Sequence, residues 1–160
     1  ADNFTTVNDF GTDVDGTIDY TLALNGTDMG TGMYAIDDTD ANDPDDLTDT
    51  DGYGQGTEIE LSIVDGVVSG KVGDTTYFTI ENDGTEVTFT QNTANTIWHS
   101  DAGDGTGTPI SEYDDAETLA AVENTLVLRE TLTDADGDTD SVDLDLSQDV
   151  FIIELIFQIK

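Results

Sequence analysis

The chain has 160 residues, enough for one domain with its own core and too few for two comfortable ones. Its net charge is −34, from 37 acids against three bases, Lys71, Arg129 and Lys160. No basic patch can therefore neutralise nucleic-acid phosphate or dock on anionic lipid. With no cysteine and one histidine, His99, disulfide frameworks, thiol nucleophiles and cysteine-type zinc sites are excluded, and little is left for triad chemistry.

Period-2 alternation dominates the chain. Thr17–Leu24 (TIDYTLAL) places Ile18, Tyr20, Leu22 and Leu24 on one face. Asp37–Gly56 has no strand pattern and carries eight Asp between Asp37 and Asp51. Thr57–Val64 (TEIELSIV) alternates again, Asp65-Gly66 is a two-residue hairpin signal, and Val67–Val72 returns. Thr75–Glu81 and Glu86–Thr90 flank Asn82-Asp83-Gly84-Thr85 as a second hairpin. Asn92–Tyr113 is a second long segment without strand pattern. Asp114–Asn124 is the single helical candidate, its acids near the start where the helix dipole favours them.

Leu126–Thr133 and Thr139–Leu146 flank an acidic turn as a third hairpin. Val150–Lys160 (VFIIELIFQIK) is far more apolar than the rest and reads as a last buried strand or a non-native tail. About seven strands separated by turn signals argue an all-β domain over residues 1–149, an antiparallel β-sandwich or partly closed barrel with one short helix. No early charged-then-apolar run marks a signal peptide, and no run approaches the roughly 18–20 apolar residues of a membrane helix.

A compact body this acidic repels itself. High salt, which shortens the Debye length to about 3 Å at 1 M, is one remedy. Bound divalent cation is the other, and the distribution of acids favours it. Asp outnumbers Glu by 28 to 9 and is clumped in stretches rich in Gly, Asn and Thr. Short carboxylates in turns can reach the backbone and a metal together.

The sharpest motif is Asp134-Ala135-Asp136-Gly137-Asp138-Thr139-Asp140, where alternating acids in a tight turn can converge on one calcium ion. Gly stands at its fourth position, so it is not an EF-hand loop. Further calcium candidates are Asp37, Asp38, Asp40, Asp43, Asp45, Asp49 and Asp51 in the first long segment. Asp101 and Asp104 in the second follow directly after Trp98-His99. Several ions are expected. Aromatic side chains beside an open calcium position suit a ligand that has a carboxylate or a vicinal diol. Trp98, His99, Tyr53, Gln55 and Tyr113 are the candidates for that wall. Enzyme chemistry has no support: carboxylate pairs are everywhere, and there is no nucleophile elbow, phosphate loop or dinucleotide fingerprint.

Thr133–Thr139 (TDADGDT), after the strand LVLRETLT and before SVDLDL, resembles the end of a repeat domain in giant type I-secreted RTX adhesins of Gram-negative bacteria. Phe10-Gly11-Thr12-Asp13 looks like that family's opening. Val87-Thr88-Phe89-Thr90-Gln91 followed by His99 looks like its "V-T-x-T-Q … H" segment. The resemblance implies an extracellular, calcium-dependent β-rich module on the bacterial surface, flanked by neighbouring modules. It implies a peptide-binding domain that holds the carboxylate of a peptide or protein terminus on another cell through calcium. A structural spacer and a glycan-binding module are the alternatives. Nucleic acid and membrane insertion are not expected.

Overall fold

The computed structural model describes residues 16–37, 54–98 and 118–148. These build nine strands in two antiparallel sheets: β1 (Thr17–Leu24), β2 (Gly30–Asp37), β3 (Gly54–Val64), β4 (Val67–Val72), β5 (Thr75–Asn82), β6 (Val87–Gln91), β7 (Ile97–Trp98), β8 (Leu126–Thr133) and β9 (Thr139–Asp145). One sheet has the order β1-β8-β9, and the other β6-β5-β4-β3-β2-β7. The domain is all-β, as the alternation requires.

Local chemistry sets the hairpins. Asp65 and Gly66 both take positive φ, 51° and 82°, and join β3 to β4 by a two-residue turn. That turn matches the right-handed twist of the flanking strands. At the β5–β6 turn, Asp83 Oδ1 accepts hydrogen bonds from Thr85 N–H, Thr85 Oγ1 and Glu86 N–H at 2.8, 2.7 and 3.0 Å. One short carboxylate thus satisfies three donors that the turn leaves open.

The core lies between the sheets. Leu22 of β1 and Leu126 of β8 meet Ile59, Leu61, Val68, Phe78 and Ile80 from the larger sheet, and all are buried. β1 crosses β3, β4 and β5, and Asn82 Nδ2 donates to the Tyr20 carbonyl at 2.7 Å to fix that crossing.

Two strands are absent from the alternation reading. β2 carries Thr31, Met33 and Ala35 inward, and small or hydroxylated residues at those positions hide its period. Thr31 is fully buried because its Oγ1 donates to the Ile59 carbonyl at 2.7 Å. β7 has only two residues, too short to show a period.

The described residues contain no helix. The part of the expected Asp114–Asn124 helix that is described, 118–124, runs extended and then turns. Leu119 and Ala121 alternate into the core. Ala120 N–H donates to Thr31 O at 2.8 Å and Ala121 N–H to Ser147 O at 3.0 Å. Only extended backbone sends both apolar side chains inward while those N–H groups reach Thr31 of β2 and Ser147 just beyond β9. Residues 114–117 and the apolar segment 150–160 lie outside the described residues. No helix among the described residues is long and apolar enough to cross a membrane.

Candidate metal site

The β8–β9 ladder closes at the pair Thr133–Thr139, which leaves five residues to turn the chain. Asp134 organises that turn. Its N–H donates to Asp138 O at 3.0 Å, and its carbonyl accepts from Gly137 N–H at 3.2 Å. Its Oδ1 accepts from the Gly137 and Asp138 N–H groups at 3.0 and 2.9 Å. Gly137 sits at φ 96°, where a residue with a Cβ is strained. Gly16, just before β1, packs so tightly on Thr133 and Asp134 that a Cβ would collide with their backbone.

This backbone draws three carboxylates together. Asp134, Asp136 and Asp138 each place one oxygen within 4.8 Å of the others. The electrostatics follow from that crowding. A hydrogen bond with Asp136 is the main cause that holds the Asp134 carboxyl below the usual aspartate range. The same bond, and then the negative charge of Asp134, push Asp136 upward. Carboxyls this close call for shared positive charge, as a proton or as a cation.

Calcium fits the donor set. It takes about six to eight oxygens in a flexible cage at roughly 2.3–2.6 Å. Three carboxylates carry six, of which Asp134 Oδ1 is already engaged with two N–H groups. The remaining ligands would come from carbonyls and water. Asp140 stands apart from this group. The ladder has resumed at Thr139, so Asp140 lies opposite Leu132, and its Oδ1 accepts from Ser141 N–H at 2.8 Å.

The other sequence candidates divide plainly. Asp37 is half-buried at the end of β2, opposite Gly54. Gln55 is exposed on β3, opposite Ile36. Asp38, Asp40, Asp43, Asp45, Asp49, Asp51, Tyr53, His99, Asp101, Asp104 and Tyr113 lie outside the described residues.

Trp98 is buried, with 6% of its surface exposed. Ile97 enters the core between the sheets, whereas Trp98, the next residue along β7, is not part of that cluster. Its ring meets Tyr34 edge to face at 6.4 Å, and its Nε1 has no hydrogen-bond partner among the described residues.

Glu130 is a polar feature that motif reading passes over. It is 1% exposed, its Oε2 has no partner among the described residues, and Tyr20 bonds to its carboxylate. That bond is the main cause that raises the Tyr20 phenol above its usual value. The signal was present in LVLRETLT, because Glu130 shares its parity with Leu126, Leu128 and Leu132.

The family model described as "Domain of unknown function (DUF5801)" matches residues 1–147. No curated protein matches the chain, and no solved structure does. The chain belongs to the DUF5801 family across nearly its whole length.

Proposed function

We propose that this chain is a calcium-stabilised β-module of a bacterial surface adhesin, carried outside the cell. The observation behind this reading is the convergence of Asp134, Asp136 and Asp138 at the tip of the β8–β9 hairpin. A divalent ion there offsets carboxylates that otherwise repel, and fixes the end of the three-stranded sheet. Binding to the folded state alone then becomes folding free energy. The surrounding acidity is tolerable outside the cell, where calcium is abundant and extracellular modules bind it at about 10⁻⁴–10⁻³ M.

The test is thermal melting in calcium chloride, in chelator, and in chelator with high potassium chloride. The proposal expects calcium to raise the midpoint well above chelator alone, and the Asp136→Asn/Asp138→Asn variant to lose most of that rise. Equal midpoints in calcium and chelator, with a rise only in potassium chloride, would make salt adaptation the correct account.

One observation favours a second reading, in which the same module also binds a peptide. Among the described residues the buried Trp98 Nε1 is a donor without an acceptor, and a ligand carboxylate or carbonyl would satisfy it. Peptide and glycan arrays, each with and without chelator, separate this reading from a plain spacer and from a glycan-binding module. A spacer retains nothing on either array.

A further inference from the structure

β1 and β9 flank β8 on its two sides. Both run antiparallel to β8, so they run parallel to each other. At one end of this sheet Thr17 pairs with Thr133 and Thr133 with Thr139. At the other end Leu24 pairs with Leu126 and Val127 with Asp145. The chain thus comes into the sheet at Thr17 at one pole and leaves it beyond Asp145 at the opposite pole.

Antiparallel ladder bonds lie perpendicular to the strands. Tension between the two poles therefore pulls across every bond together. It loads the eight registered pairs of β1–β8 and the seven of β8–β9 simultaneously, not one after another.

Side chains lock both ladders against sliding. Tyr20 bonds to Glu130 across β1–β8. Arg129 grips Asp143 across β8–β9 with two bonds, Nε to Oδ1 at 2.7 Å and Nη2 to Oδ2 at 2.8 Å. The exit is anchored as well. Leu146 N–H donates to Leu126 O at 2.8 Å and Ser147 O accepts from Ala121 N–H at 3.0 Å. Leu22, Leu126 and Leu146 add core packing that sliding would have to break.

We propose that the three-stranded sheet is a mechanical clamp, and that carrying tension between residues 17 and 148 is a function of this domain. The clamp needs no ion and does not rest on the calcium reading.

Single-molecule stretching tests it directly, because a chain without cysteine accepts thiol handles at chosen positions. The Thr17→Cys/Gln148→Cys pair pulls pole to pole and loads both ladders in shear. The Thr17→Cys/Ala135→Cys pair pulls two points at the same pole and peels β1 from β8 bond by bond. The clamp predicts that the first pair unfolds at several-fold higher force than the second at the same loading rate. Equal forces, or a lower force for the pole-to-pole pair, would overturn it. Should Ala135→Cys fail to fold, Thr17→Cys/Thr139→Cys applies the same peeling geometry with the same two outcomes.

Discussion

Gly70 of β4 faces Phe78 of β5 across their ladder, and the Phe78 ring occupies the space where a Cβ on Gly70 would stand. Phe78 is fully buried and stacks on Phe89 with ring centroids 4.9 Å apart. The glycine is there for the ring. Gly70→Ala should displace Phe78 and cost about 1–3 kcal/mol, the usual range for overpacking a core. Denaturant unfolding measures it. A neutral result would mean that the ring has room to move.

Half-buried Tyr20 bonds to buried Glu130, whose second carboxylate oxygen has no partner among the described residues. Removing one partner should cost more than removing both. Tyr20→Phe strands the Glu130 carboxylate and should cost about 1–3 kcal/mol. Tyr20→Phe with Glu130→Met removes both polar groups and should recover most of that loss, since a buried charge is often replaced by apolar volume at no net cost. Four equilibrium unfolding curves, for the wild type, both single variants and the double, give the coupling.

Trp98 separates folding from binding. Trp98→Ala deletes a buried ring and should cost about 3–5 kcal/mol. Trp98→Phe keeps an aromatic ring against Tyr34 and deletes the unpartnered N–H. Its stability should stay within about 1 kcal/mol of the wild type. If that donor holds a ligand, Trp98→Phe should lose peptide retention while melting normally.

Calcium removal should act through the acidic turn. At roughly a hundred times Kd, a ligand bound only to the folded state adds about 2.7 kcal/mol. Titration calorimetry on the wild type and on Asp136→Asn/Asp138→Asn should show the loss of one binding event. Asp140→Asn should leave that event in place, because Asp140 lies outside the converging group.

Acid should weaken the fold through Asp143 and Asp83. The hydrogen bond from Arg129 is the main cause that lowers the Asp143 carboxyl, and Thr85 does the same for Asp83. A carboxyl lower in the folded state than in the unfolded chain contributes stability above the unfolded value of about 3.9. That contribution is lost as pH falls through the folded value. Asp136, which Asp134 pushes upward, works in the opposite sense: its contribution is present at low pH and fades as pH rises. Melting in chelator from about pH 6 to pH 3 should therefore show a shallower acid-side decline in Asp143→Asn than in the wild type.

The strands with clean alternation were legible in the residues. β1, β4 and β8 run over the expected limits, and β3, β5, β6 and β9 differ from theirs by a few terminal residues. The acidic turn was legible in part, since Gly137 and the alternation of acids are local properties, but the four acids read as converging included Asp140, which stands outside the group. β2 was not, because Thr31 and Gly32 break the apolar rhythm, and Thr31 becomes a core residue only when Ile59 supplies a carbonyl from another strand.

What the residues determined alone is the class of fold and the place where negative charge concentrates, because period and turn chemistry act over a few neighbours. Tertiary structure decided the rest. It turned 118–122 into an extended bridge, since the N–H groups of Ala120 and Ala121 found acceptors at Thr31 of β2 and at Ser147 just beyond β9. It placed Asp140 outside the converging carboxylates by resuming the ladder one residue earlier. It also put the two ends of the three-stranded sheet at opposite poles. Each of these outcomes depends on partners distant in sequence, whose positions exist only after the sheets have packed.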